Sequence, residues 1–232
     1  MSSTRQIALY LTIPFMVIVF ALLSEYSGMD LHFASSFYDE ATGAWPYKSL
    51  FITSEVLHTW GRYFIVFCAL SNLFAIIASF FNTTLAPWRK HLMYIFIAAM
   101  AGPLLVGLLK ASTYIYTPWD LQFFGGDKPY IRIFDAVYDG AAIGHAFPGG
   151  HSSGGFAYIS LFFALSVMRN RYRFYGLLLP LVTGIIFAVT QEIRGAHFLS
   201  HDLFSFAICW LVSFALAVVI YPDYWRPAES SR

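Results

Sequence analysis

The chain has 232 residues, of which 58% are hydrophobic, 19% aromatic and only 12% charged, and its formal net charge is +1. Charged residues make up about a quarter of a typical soluble domain, so this composition excludes an ordinary soluble protein. The near-neutral balance also argues against nucleic acid as a partner. Both cysteines, Cys68 and Cys209, lie inside apolar runs, which favours buried side chains over a disulfide or a metal pair.

Six apolar stretches approach the length of about 20 residues that a membrane-spanning helix needs. They cover about 7–24, 57–81, 92–113, 151–168, 176–194 and 201–221. We find no internal repeat and no soluble segment of domain size. The sequence therefore predicts an all-α, polytopic membrane protein with about six transmembrane helices, forming a single domain over residues 1–232.

The lysines and arginines predict the orientation of these helices. With both termini on one side, that side carries mostly basic residues, whereas the opposite side is mostly acidic. Short cytoplasmic loops are enriched in Lys and Arg, so both termini are expected in the cytoplasm. Segments 25–50 and 114–150 then face outward, and the length of the second favours a functional loop.

Polar residues at three helix ends fall on this outward side. Lys110 ends the third span, His151 starts the fourth, and the segment RGAHFLSHD (194–202) joins the last two spans. Burying an ionisable group at membrane depth is costly unless the group is paired, so such residues indicate a functional site. Each cluster has a plain structural alternative, such as a lysine reaching the interface, but their convergence indicates one site.

The stretch AFPGGHSSGGF (146–156) precedes an apolar run. Gly149 and Gly150 allow close approach of a ligand to the backbone, and the first amides of the following helix suit an anion. Ser152 adds a hydroxyl, and His151 is placed for proton transfer near neutral pH. The alternative is a flexible hinge with an interfacial histidine.

The segment RGAHFLSHD offers a guanidinium and two imidazoles. If residues from 194 onward are helical, Arg194, His197 and His201 share one face. A metal site using both histidines with Asp202 is the alternative, but neighbouring cations would repel a metal ion. The same cations, above all Lys110, suit a phosphate.

Together these clusters resemble the type 2 phosphatidic acid phosphatase superfamily of membrane lipid phosphatases. The family motif K-x6-R-P is matched by KASTYIYTP (110–118), P-S-G-H by PGGH (148–151), and S-R-x5-H-x3-D by TQEIRGAHFLSH (190–201). The likeness covers roughly residues 92–221, and the motifs are specific in combination although none is perfect.

The resemblance implies a role for each matching residue. His197 would be the nucleophile that forms a phosphohistidine, and His151 the acid that protonates the leaving alkoxide. Lys110 and the backbone at Gly149 and Gly150 would bind the phosphate. Such chemistry requires no metal and no cofactor, because a positioned nucleophile and fixed cations supply it.

Three departures from the motifs bear on this expectation. The first-motif arginine is Thr117, and the third-motif arginine is Gln191. We expect Arg194, one helical turn later, to substitute for it. The aspartate that orients the nucleophile falls on His201, with Asp202 one position beyond. We favour His201 as the orienting residue.

The sequence thus predicts a metal-independent phosphatase of a membrane lipid in a bacterial inner membrane, with its active site facing the periplasm. By resemblance, candidate substrates are a polyprenyl diphosphate, phosphatidylglycerol phosphate, phosphatidate or lipid A. Transfer of the phosphate to another lipid, or mere binding or transport of a phospholipid, are the alternatives. The expected partners are the substrate and the bilayer; the oligomeric state is left open.

The remaining histidines, including His58, are interpreted as interfacial or structural.

Overall fold

The computed structural model describes residues 3–225, whose regular secondary structure is helical and which contain no β-strand. Nine α-helices follow in chain order: α1 (Ser3–Tyr26), α2 (Met29–Ser35), α3 (Gly61–Ala78), α4 (Arg89–Lys110), α5 (Gly150–Phe156), α6 (Ser160–Val167), α7 (Arg173–Ile193), α8 (Leu199–Ile220) and α9 (Pro222–Trp225). A π-helix over Ile52–Trp60 leads directly into α3. Short 3₁₀ turns cover Ala86–Trp88, Pro118–Asp120, Gln122–Phe124 and Ala157–Ile159.

Five helical stretches of this part of the chain are long and apolar enough to cross a membrane. They are Arg5–Tyr26, Ile52–Ala78, Ala86–Lys110, Arg173–Ile193 and Leu199–Ile220. These stretches coincide with five of the six predicted spans and fit a membrane-embedded protein. The orientation of the helices stays a prediction, and residues 226–232, whose arginines contribute to it, lie outside the described range.

The remaining predicted span, 151–168, does not form one regular helix. It is divided into α5 and α6 by the 3₁₀ turn at Ala157–Ile159. Glycine lowers helix propensity by about 1 kcal/mol relative to alanine, and Gly154 and Gly155 stand just before the break. The prediction of six regular spanning helices is therefore met for five.

Close backbone packing joins α5 to α7. A Cβ atom added to Gly155 would lie 2.5 Å from the Cα of Gly184, and one added to Gly184 would overlap the ring of Phe156. Small residues let membrane helices approach each other in this way. The contact brings the start of α5 alongside the end of α7, where the polar clusters lie.

Helix α8 lies at the centre of the packed helices, in contact with α1, α4 and α5. Its Trp210 is buried and donates a hydrogen bond from Nε1 to the Tyr10 carbonyl of α1 at 2.7 Å. From α4, the Tyr94 hydroxyl donates to the Ser213 carbonyl at 2.8 Å. By contrast, α3 has no buried side chain, which is consistent with a lipid-facing position.

A buried carboxylate in α2 holds the start of α8. Asp30, at the beginning of α2, is 1% exposed and accepts hydrogen bonds from the Ser24 hydroxyl and from the amide and hydroxyl of Ser200. Side-chain acceptors of this kind satisfy amides that have no partner within the helix. Asp30 thereby fixes the first turn of α8, which carries His201 and Asp202.

We expect Asp30→Ala to destabilise the protein by about 2 kcal/mol or more, because it leaves the buried amide and hydroxyl of Ser200 without their acceptor. The midpoint of thermal unfolding in detergent micelles measures this loss. Asp127→Ala is the matched control, since that carboxylate is exposed and pairs with Lys128 at the surface. Equal midpoints for the two variants would contradict a capping role for Asp30.

Candidate active site

The three polar clusters meet at the end of α4, around Lys110. Its ammonium nitrogen lies 3.6 Å from the position a Cβ would occupy on Gly150. Its charge also acts on His197, His201 and Asp202. The convergence expected from the sequence is therefore present, with the lysine between the PGGH loop and the segment that precedes α8.

A turn, and not a helix, carries the segment from Arg194 to Phe198. Helix α7 ends at Ile193, and Gly195 adopts a left-handed conformation with φ of 77°. A side chain at this position would also collide with the Trp45 ring. Residues 194–198 are therefore not helical, so the condition for Arg194, His197 and His201 to share one face is not met, and His197 lies in the non-helical residues before α8.

His197 is a buried, neutral imidazole. It is 5% exposed, and burial, together with the nearby charge of Lys110, holds its pKa well below the ordinary value. Its ring meets that of His201 edge to face, with centroids 5.8 Å apart. The Ala146 carbonyl lies beside both rings, but neither Nδ1 has a hydrogen-bond partner of regular geometry within residues 3–225. A neutral ring keeps the lone pair that a nucleophile needs.

The lowered pKa of His197 predicts how stability depends on pH. The unfolded chain takes up a proton near pH 6.5, whereas the folded site resists it. The contribution of His197 to the free energy of unfolding is therefore fully present above about pH 6.5, and it is lost as the pH falls below that value. We expect the unfolding midpoint to decrease from pH 7.5 to pH 5.5, and to decrease less in His197→Gln. An equal pH dependence in both proteins would contradict this expectation.

The PGGH loop is fastened to α8 by hydrogen bonds. The Gly149 amide donates to the His201 carbonyl at 3.0 Å, and the Ser205 hydroxyl donates to the Gly149 carbonyl at 2.8 Å. The Ser152 hydroxyl donates to Asp202 Oδ1 at 2.5 Å. Ser152 is fully buried, so its hydroxyl supports the loop from behind, and Gly150 is left facing Lys110, whereas Gly149 packs against Asp202.

Asp202 connects this loop to α7. A side chain at Gly149 would overlap Asp202 Oδ1, which shows how closely the carboxyl group supports the loop. Glu192 contacts Asp202 from the last turn of α7, and Glu192 Oε1 and Asp202 Oδ2 are buried with no other partner within the described residues. Two carboxyl groups in contact at a buried site hold a proton between them.

On the other side of Lys110, His151 is held by the π-helix and by α7. Its Nε2 donates to the Leu57 carbonyl at 3.0 Å, and its ring stacks on Phe187 with centroids 4.2 Å apart. The ring of His58 lies 4.7 Å from that of His151. A π-helix is rare and is found mostly at functional sites.

Comparison with known families identifies the family of this chain. The sequence model of the PAP2 superfamily, the type 2 phosphatidic acid phosphatases, matches residues 90–225. The chain belongs to this superfamily. Its members are phosphatases, so membership supports phosphoric monoester hydrolysis of a phosphorylated substrate. No curated protein and no solved structure matches the chain.

The structure places both residues that replace PAP2 arginines. Thr117 donates a hydrogen bond to Asp120 and belongs to a loop that packs on the Gly195 turn through the Trp119 amide. At the other position, Gln191 Oε1 accepts a hydrogen bond of 3.2 Å from Arg194 Nη1. The Arg194 guanidinium therefore reaches the residue that stands in place of the family arginine, and it is also held by the Lys48 carbonyl.

Two residues of this site were missed by the sequence analysis, His58 and Glu192, and Gln191 was identified only as the residue in place of an arginine. His58 was interpreted as structural, yet Gln191 Nε2 contacts its Nδ1 at 3.0 Å. One available signal was an ionisable residue near the end of a predicted span, which favours a functional role.

Within the described residues, no group of three or more His, Cys, Asp or Glu side chains is arranged to hold a metal ion.

Proposed function

We propose that the protein is a metal-independent lipid phosphate phosphatase that works through a phosphohistidine. The observation that carries this proposal is the buried, neutral His197 beside the Lys110 ammonium, with His151 in the same cluster. A neutral nucleophile next to fixed cations suits attack on a phosphoryl group. Membership of the PAP2 superfamily supports the same reaction class.

The reaction has two balanced steps. In the first, the anionic phosphate brings a proton to His151, whose pKa in the free site is lowered to about 4 by burial and nearby cations. A nitrogen of His197 then attacks phosphorus, the bond from phosphorus to the alkoxide oxygen breaks, and His151 gives its proton to that oxygen. In the second, neutral His151 takes a proton from water as the water oxygen attacks phosphorus, and the phosphorus–nitrogen bond breaks. Lys110, Arg194 and the backbone amide of Gly150 stabilise the charge on the phosphoryl oxygens, because the Gly149 amide is already bound to the His201 carbonyl.

A lipid substrate is supported by the apolar space next to the site. A cavity of about 490 Å³ lies between α3, α4, α6 and α7, within the size range of ligand sites. Its walls include Ile65, Cys68, Leu92, Tyr158, Leu161 and Leu179. Gly155, one turn along the helix from His151, also lines it. A hydrocarbon chain there would leave the phosphate at the helix ends, which we propose face the periplasm.

The proposal is tested by phosphate release from purified protein in the presence of a chelator. The substrates are polyprenyl diphosphate, phosphatidylglycerol phosphate, phosphatidate and lipid A, each with and without an acceptor lipid. We expect release of inorganic phosphate from at least one substrate without added metal. Activity that needs metal, product formed only with the acceptor, or no reaction at all would overturn metal-independent hydrolysis.

A further inference from the structure

His58 is part of a chain of hydrogen bonds whose direction can be deduced. Arginine only donates hydrogen bonds, so the Gln191 atom that meets Arg194 must be the oxygen. The Gln191 amide nitrogen therefore faces His58 and donates to its Nδ1 at 3.0 Å. An Nδ1 that accepts a hydrogen bond carries no proton, so His58 is neutral and bears its proton on Nε2.

The same reasoning fixes the neighbouring ring. A carbonyl oxygen only accepts, so His151 bears a proton on Nε2, which is bound to the Leu57 carbonyl. Its Nδ1 is then the nitrogen that gains or loses a proton. Neither His151 Nδ1 nor His58 Nε2 has a hydrogen-bond partner within residues 3–225, and neither belongs to the buried polar atoms that lack one.

Two adjacent rings therefore present one donor and one proton acceptor, with their centroids 4.7 Å apart. The charges that act on His58 are those of Arg194, Arg62, Glu55 and Lys110, three of them cationic. These cations would repel a positive charge on His58 and so disfavour its protonation. The Gln191 amide does the same, since it occupies the nitrogen that a proton would have to reach.

We propose that His58 is a further catalytic residue, whose Nε2–H donates a hydrogen bond to the leaving-group oxygen while His151 Nδ1 delivers the proton. His58 keeps its own proton throughout, because losing it would leave an imidazolate. In the second step the same pair binds the attacking water, with His58 as donor and His151 Nδ1 as acceptor. This inference rests on the proposed phosphatase function, and Gln191 and Arg194 act in it as positioning residues.

The kinetic test compares the first turnover of an alkyl phosphate and an aryl phosphate. An alkoxide needs a proton to leave and an aryloxide does not, so His58→Ala should slow the first turnover of the alkyl substrate by about 10²-fold. The aryl substrate should keep its first-turnover rate, and His58→Gln, which retains an N–H donor, should recover part of the loss. Gln191→Ala should add nothing to the effect of His58→Ala, because Gln191 acts through His58.

His32→Ala is the control for loss of a histidine, since His32 is exposed and distant from these rings along the chain. An equal loss for both substrates, or no loss, would overturn the proposal, because a merely structural role slows both reactions alike. A second test does not depend on turnover. ¹⁵N spectra of the histidine-labelled protein should show His58 protonated on Nε2 alone, and added inorganic phosphate should shift its Nε2 signal.

The two tests separate the two hypotheses. If wild-type protein releases no phosphate but shows this tautomer and the phosphate-induced shift, the phosphatase function is contradicted. The placement of His58 Nε2–H at a phosphate site is then still supported. A proton on His58 Nδ1 would overturn the inference even in an active enzyme.

Discussion

Replacing His197 with alanine is expected to reduce phosphate release by about 10³-fold or more, because it removes the nitrogen on which we propose that the covalent intermediate forms. The cations around Lys110 would remain and would still bind phosphate, so binding of inorganic phosphate should change little. Initial rates with the best lipid substrate, measured beside phosphate binding, separate these effects.

Trapping of the intermediate supplies the matched control. With a radiolabelled aryl phosphate, wild-type protein should carry label briefly, and His197→Ala should carry none. His151→Ala should accumulate label, since an aryloxide leaves without a proton but the second step still lacks its base. Labelling of His197→Ala, or activity above one tenth of wild type, would assign the nucleophile to another residue.

The second large effect is expected at Asp202, where alanine and asparagine should differ. Asp202→Ala removes one of the two acceptors of the Ser152 hydroxyl, which keeps only the Gly149 carbonyl. It also removes the partner of Glu192, whose carboxyl group is left buried and unsatisfied. We expect a loss of about 3 kcal/mol in the free energy of unfolding and a fall in activity of about 10²-fold as the PGGH loop shifts. Unfolding midpoints and initial rates measure the two losses.

Asp202→Asn tests how the residue works. The asparagine oxygen can still accept from Ser152, and its amide can donate to Glu192 in place of the shared proton, so stability and activity should stay near wild type. If Asp202 instead orients the nucleophile as a carboxylate, asparagine should cost about 10⁴-fold in turnover. Asp139→Asn is the control, at an exposed position.

Five spanning helices and the convergence of the motif residues could be predicted from the sequence, because both depend on simple patterns. Length and hydropathy define the helices, and polar residues at apolar helix ends are few enough to stand out, as Lys110 and His151 do. Membership of the superfamily, predicted from three imperfect motifs, is confirmed by the match over residues 90–225.

The details that sequence reasoning missed depend on backbone geometry. Helical spacing placed Arg194, His197 and His201 on one face, but the left-handed Gly195 breaks that spacing. Arg194 precedes this turn and still reaches Gln191, three residues earlier on α7, whereas His197 and His201 follow the turn. Ser152 could not be assigned either, because its direction depends on Asp202, fifty residues away.

The π-helix before α3 has a consequence for the ancestry of the site. Hydrogen bonds in a π-helix span one residue more than in an α-helix, so such a segment is equivalent to an inserted residue. Removing one residue between His58 and α3 would restore regular winding and turn the preceding segment, with Leu57 and His58, by about 100° relative to α3. The Leu57 carbonyl and His58 reach His151 from within this irregular winding. We therefore expect a relative that lacks one residue at this point to have the acid corresponding to His151 without a paired histidine corresponding to His58.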